Sequence, residues 1–342
     1  MQKMNVAMYY NNNDVKIEKM PIPDINDDEM LVKVKACGIC GSDVMEWYRL
    51  KKAPRVLGHE MAGDVVKIGK NVKKFKLKDR IFVSHHVPCN TCDFCLNDKH
   101  TLCKTLHSTN FYPGGFSEYL RVPKINVETG VFKLPDEMDY DQAAFIEPLA
   151  CVVRGMRIAE MKEGLSVLVL GSGVAGLLNI KLAKAMGASK VIATDIDDFR
   201  LKTAQKMGAD IVFDARKNVA GEVKKNNDGR LADLVILCAG VPSAAKQAME
   251  SVENGGTILF FAPTEPGVKV CFPLFDLWNK QVKMVSTYAG APNDLKEAID
   301  LIKTKKVEVK DLITHRFPLT EVAKGFKLAA QAKNSIKIII EP

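Results

Sequence analysis

Strand–helix alternation between Cys151 and Val285 constrains this 342-residue chain more than any other feature. Residues 167–170 are a short apolar run, and the pattern over 173–186 is helical. Apolar segments at 191–194, 211–213, 234–238, 257–261 and 282–285 follow as strands. Helical patterns at 198–207 and 243–251 lie between them, the first with an Asp near its cap. Short buried strands separated by helices need a parallel sheet covered on both faces. The class predicted here is therefore α/β.

Gly171-x-Gly173-x-x-Gly176 follows the first of these strands directly and opens a helix, and with Val174 it makes up the candidate cofactor-binding turn. The first Gly permits a tight turn, the second lets the backbone approach a pyrophosphate, and the third lets helix and strand pack closely. The helix start then offers free N–H groups and a partial positive charge to an anion. Asp195 ends the next strand, 19 residues after Gly176. A carboxylate there accepts both hydroxyls of an adenosine ribose and repels a 2′-phosphate, which favours NAD over NADP. Arg200, a turn further on, is a candidate to cover the adenine. The alternative is a glycine-rich turn without a ligand.

Composition excludes several classes. With 26% charged and 47% hydrophobic residues, the chain is globular and long enough for two domains. The net charge of +8 is scattered over short runs such as Lys51-Lys52, Lys73-Lys74 and Lys305-Lys306, which does not suit nucleic acid. Residues 164–180 are uncharged, but Gly and Ser interrupt them, so no membrane span is expected. The N-terminus lacks the apolar core of an export signal, and a cytoplasmic location is the expectation.

Nine cysteines cannot all pair within one chain, and metal binding is the better reading of their clustering. Cys89, Cys92, Cys95 and Cys103 fall within fifteen residues and suit one tetrahedral Zn²⁺. A shell of four sulfurs leaves no open position, so such a zinc is structural. An iron–sulfur cluster is the rival, but its motif places the fourth Cys after three residues and not seven. The segment before residue 150 is otherwise β-rich, with half-buried alternation at 31–36, 62–68 and 80–84.

Three further frames occur: Gly38-Ile39-Cys40-Gly41-Ser42-Asp43, Gly58-His59-Glu60-x2-Gly63-x5-Gly69, and Glu147-Pro148-Leu149. With the cysteine lobe, the glycine turn and the run Thr314 to Leu319, they give the whole chain a resemblance to the zinc-dependent medium-chain alcohol dehydrogenases, close to the sorbitol (polyol) dehydrogenase branch. The resemblance implies a GroES-like β-barrel catalytic domain over 1–150 and 286–342, and a Rossmann domain over 151–285. It also implies a second, catalytic Zn²⁺ held by Cys40 and His59, with Glu60 and Glu147 in or next to its shell. Asp43 would orient His59, and Ser42 would begin proton removal. Cys37 is read as a small buried residue, and so are Cys238 and Cys271. Cys151, close after Glu147, is a candidate to face the nicotinamide.

Departures from the family pattern sharpen these expectations. Met45 stands where many relatives carry a His that passes the proton on, and His85 is a candidate to line the substrate pocket instead. The family's Gly-Asp-Arg turn is Lys78-Asp79-Arg80. Thr287-Tyr288 replaces an Arg-Tyr pair that contacts sugar hydroxyls, which puts sorbitol itself in doubt. Arg154 suits either an acidic or phosphorylated substrate or an internal carboxylate. The implied reaction is hydride transfer from a secondary alcohol, a polyol first and an amino alcohol of the L-threonine type second, to NAD⁺. An inactive zinc- and nucleotide-binding relative is the alternative of a different class. A homotetramer or homodimer is the expected assembly.

Overall fold

A computed structural model describes residues 2–342. The chain forms two compact units, Met1–Ala150 with Ala289–Pro342, and Cys151–Tyr288. The first boundary falls inside the helix Ile146–Ile158.

The second unit is a six-stranded sheet in which every neighbouring pair is parallel. Its strands run Ser166–Leu170, Lys190–Asp195, Ile211–Asp214, Ala232–Leu237, Val252–Phe260 and Lys283–Ser286, in spatial order third, second, first, fourth, fifth, sixth. The order reverses beside Ser166–Leu170, so a crevice opens past the carboxyl end of that strand. All five of its residues are buried, which explains an apolar run without alternation. Leu168, Leu170, Ile192, Val235 and Ile258 build the core with Val223 and Ala248 from the covering helices.

The first unit is largely antiparallel. A seven-stranded sheet centres on Met30–Gly38, which pairs with Glu60–Ile68, Tyr119–Val122 and Lys337–Glu341. A smaller sheet joins Lys3–Asn11 to Asp14–Pro21 and Arg55–Val56. Tyr9, Met30, Val34, Met61, Phe116 and Phe326 fill the space within this unit. Besides Lys337–Glu341, the C-terminal part contributes the helix Pro292–Lys303, the strand Ile313–Pro318 and the helix Val322–Gln331. Gly325 weakens the helical signal there. A Cβ at Gly325 would come within 2.9 Å of Ile39 Cδ1, so close packing accounts for the glycine.

Candidate active site

Among the described residues, two groups of side chains could hold a metal ion, both in the first unit. In the cysteine lobe, the short helices Asp93–Leu96 and His100–Leu102 turn the chain so that Cys89, Cys92, Cys95 and Cys103 converge. Cys89 Sγ lies 3.6 Å from Cys103 Sγ and 4.0 Å from Cys95 Sγ, and Cys92 Sγ lies 3.6 Å from Cys95 Sγ. A tetrahedron with ~2.3 Å Zn–S bonds has sulfurs ~3.8 Å apart, so these spacings fit one zinc ion. Thr91 and the Cys92 amide donate to Cys89, holding its thiol down at about 5, whereas burial pushes Cys95 up to about 12. A divalent cation would remove that conflict by keeping all four sulfurs ionised.

The second group contains Cys40, His59 and Glu60, whose ligand atoms lie within 4.8 Å of one another. Cys40 caps the short helix Gly41–Val44: its amide donates to Asp43 Oδ2 at 3.1 Å, and its sulfur accepts from the Ser42 amide at 3.4 Å. Glu60 opens the strand Glu60–Ile68, directly after His59. Asp43 is fully buried, with Oδ1 3.5 Å from His59 Nδ1, which leaves the imidazole's Nε2 for a metal. Burial alone would raise the Asp43 carboxyl, but His59, Arg49 and the Cys40 amide outweigh it and hold it low. Burial would likewise push His59 down, yet Asp43 and Cys40 raise it well above the usual imidazole range. One sulfur, one nitrogen and one carboxylate oxygen suit zinc and leave a coordination position for a further ligand. Glu147 lies at the start of the helix Ile146–Ile158, outside this group of three.

Two participants escape a reading of the sequence. Lys337, without exposed surface, forms an ion pair with Glu60, and their separation of 277 residues hides the pairing. A lysine inside the apolar run 336–340 is the only local sign of it. Burial would lower the Lys337 ammonium, but Glu60, Cys40 and Glu147 raise it above the usual lysine range. Arg49 ends the helix Glu46–Arg49 and donates to both Ser42 and Asp43.

His85 lies tilted against His59, 4.8 Å between ring centroids, and against His86 at 3.8 Å. Burial, reinforced by the charges of His86, His59 and Arg49, holds His85 well below the usual imidazole range and therefore neutral near pH 7.

In the second unit the glycine turn has the features a dinucleotide needs. Gly171 adopts φ +97°, open to glycine and strained for other residues. A Cβ at Gly176 would strike the Gly171 carbonyl, whereas one at Gly173 would meet nothing nearer than Arg200 Nη1 at 3.9 Å. Packing within the described residues thus explains the third glycine, and the second leaves bare backbone for a ligand. No side chain caps the helix Val174–Ala185. Asp195 accepts from the amides of Ser172 (2.7 Å), Ile196 (2.8 Å) and Asp197 (3.0 Å), which fixes the carboxylate at the strand end. Arg200 Nη1 lies 4.0 Å from it. Arg154 lies on the helix Ile146–Ile158, where burial and the charge of Arg157 lower its basicity.

The family model for an alcohol dehydrogenase GroES-like domain matches residues 26–136, and that for a zinc-binding dehydrogenase matches 175–304. A sorbitol dehydrogenase of Bacillus subtilis (strain 168) is 32% identical over 100% of this chain and 98% of its own length. The chain belongs to the zinc-dependent medium-chain alcohol dehydrogenases. This dehydrogenase therefore combines a GroES-like domain with a Rossmann-type sheet, and it is similar to the sorbitol dehydrogenase branch. An L-threonine 3-dehydrogenase of Bacillus licheniformis is 35% identical over 95% of this chain and 94% of its own. Among solved structures, a zinc-binding dehydrogenase of Sinorhizobium meliloti 1021 bound to NADP superposes with a TM-score of 0.90, at 29% identity and full coverage of both chains. Among the described residues of this dehydrogenase, no helix is long and apolar enough to cross a membrane.

Proposed function

We propose that this dehydrogenase oxidises a secondary alcohol, a polyol or sugar alcohol first, to the ketone with NAD⁺ as acceptor. The grouping of Cys40, His59 and Glu60, backed by Asp43, is the observation that carries this reading. Zinc at that group would acidify an alcohol hydroxyl, and NAD⁺ would accept hydride from the carbinol carbon. Cys40 and His59 would hold the metal, with Glu60 and Glu147 as the carboxylates in or beside its shell. Ser42 accepts the hydroxyl proton and passes its own to solvent. Neutral His85 lines the pocket and offers a ring nitrogen to a substrate hydroxyl. In the second unit Gly171, Gly173, Val174 and Gly176 receive the pyrophosphate, Asp195 binds the adenosine ribose, and Arg200 covers the adenine.

The sorbitol dehydrogenase relative supports a polyol. Thr287, in place of an arginine that would contact sugar hydroxyls, and the L-threonine 3-dehydrogenase relative favour an amino alcohol as the second reading. A reduction screen with NAD⁺ and NADP⁺ over polyols, sugar phosphates, secondary alcohols and threonine separates them, alongside metal analysis. Two zinc ions per chain and polyol-dependent NADH formation are expected. One zinc and no turnover would identify an inactive binding protein.

A cytoplasmic homodimer or homotetramer is part of the same proposal. Leu274, Phe275 and Trp278 are each more than 70% exposed on the helix Leu274–Asn279, and clustered exposed apolar side chains of this kind mark interaction sites. Sedimentation at micromolar concentration tests it, and a monomer would overturn it.

A further inference from the structure

The guanidinium of Arg49 is committed on two sides of the candidate site. Its Nε donates to the Ser42 carbonyl at 2.8 Å, and Nη2 donates both to Ser42 Oγ at 2.8 Å and to Asp43 Oδ1 at 3.1 Å. The same Asp43 oxygen faces His59 Nδ1. Only 15% of the Arg49 side chain is exposed, and its guanidinium lies 4.7 Å from the Tyr48 ring centroid. We propose that Arg49 is a positioning residue, which orients the Ser42 hydroxyl for proton transfer and, through Asp43, fixes the imidazole of His59. The proposal rests on the reading of Ser42 given above.

Hydrogen-bond inventory gives the reason. A serine hydroxyl has two lone pairs and one proton, and a guanidinium has donors only. Arg49 occupies one lone pair of Ser42 Oγ, so the serine proton cannot point at Arg49. The second lone pair remains for the substrate O–H, and the serine proton is directed to a further acceptor. A hydroxyl free to rotate is thereby given one working orientation. Because a guanidinium keeps its protons throughout the accessible pH range, Arg49 is not itself a carrier. The balanced step follows. The alcohol proton moves to Ser42 Oγ as the serine proton passes to water, and the carbinol hydrogen leaves with its bonding pair for NAD⁺. The ketone, NADH and one proton in solvent are the products. A fixed positive charge beside Ser42 Oγ also favours the negative charge that develops as the proton departs.

The experiment uses the zinc-loaded enzyme and compares R49A, R49K, S42A and S42A/R49A. R49A should lower kcat by about 10- to 100-fold, at or below the lower end of what a proton-transfer group itself contributes, as suits a residue that only positions one, with KM for NAD⁺ within about twofold of the parent. Added guanidinium ion should restore at least about a third of the lost rate, and R49K should fall between R49A and the parent. S42A/R49A should be no slower than S42A, because the two residues act as one unit. A second readout is independent of turnover: a chelator should strip the metal at Cys40 and His59 several-fold faster from R49A, followed by cobalt(II) absorbance, since Asp43 loses a partner. Effects of R49A and S42A that multiply, absent rescue, or a change confined to KM would overturn the assignment to Ser42. Unchanged metal release would overturn the link through Asp43. If S42A itself retains kcat within twofold, the serine reading fails, and the metal-release arm still decides the other half.

Discussion

Replacing Lys337 by methionine should destabilise the metal-free enzyme far more than the zinc-loaded one. Lys337 and Glu60 have 0% and 1% of their side-chain surface exposed, so each is the counter-charge of the other in a dry site. The Lys337 ammonium also lies 5.4 Å from the centre of the Phe145 ring, which a methionine can still pack against. Methionine conserves most of the volume, and the cost is that of stranding a buried carboxylate: about 3–5 kcal/mol. For a unit of this size that is roughly 6–20 °C in thermal midpoint. A zinc ion beside Glu60 supplies the missing positive charge, so the loaded variant should lose less than about half as much. Scanning calorimetry of K337M and the parent, each with zinc and after chelation, measures both differences. E60Q/K337M, which removes both charges, should recover most of the loss. An equal drop with and without zinc, or a double variant as unstable as K337M, would refute the reasoning.

C103S breaks the four-sulfur shell, so bound zinc should fall from two to one per chain by plasma mass spectrometry, with a lower melting temperature; two retained ions would contradict the assignment. D195N keeps an acceptor for the Ser172, Ile196 and Asp197 amides but removes the charge that repels a 2′-phosphate. The ratio of kcat/KM for NADP⁺ over NAD⁺ should rise at least about tenfold. Asp233 accepts from Ser166 N at 2.9 Å, Ser166 Oγ at 2.7 Å and Arg230 Nη2 at 2.7 Å. Burial pushes its carboxyl up, but Ser166 and Arg230 outweigh burial and hold it below the usual value. A depressed folded value means the stabilisation is complete above the unfolded value, ~3.9, and fades as pH falls through the folded one. D233N should therefore be about 1–3 kcal/mol less stable in urea melts at pH 7, with the deficit shrinking toward pH 3; a deficit constant with pH would refute this.

What was legible in the sequence follows from how local each constraint is. The parallel sheet announced itself because full burial on both faces demands uninterrupted apolar runs, as in Ser166–Leu170. Gly171 and Gly176 were legible because backbone angle and close approach leave no other residue type. The four cysteines share one loop. Cys40 and His59, by contrast, come from a turn and a strand start nineteen positions apart, and only the family resemblance joined them. Nothing near Lys337 names Glu60, because the folded register of distant strands brings the two together, and no motif singles out Arg49 even though Ser42 and Asp43 lie only seven and six residues before it.

That register has a consequence for how the site comes to exist. Asp43 and Glu60 place two buried carboxylates in one small region, and without counter-charges their burial and mutual repulsion would oppose folding. Arg49 answers Asp43, and Lys337 answers Glu60. His59, raised by Asp43 and Cys40, holds a proton that it must release when its nitrogen binds a metal. The two fixed cations answer the two buried carboxylates, which would let the first unit reach its native register before zinc is bound. A zinc ion held there would take the place of the His59 proton and compete with Lys337 for Glu60. The same balance explains why Lys337 is buried despite its charge: its strand, Lys337–Glu341, closes the sheet beside Met30–Gly38, and a neutral residue there would leave Glu60 uncompensated until the metal arrived.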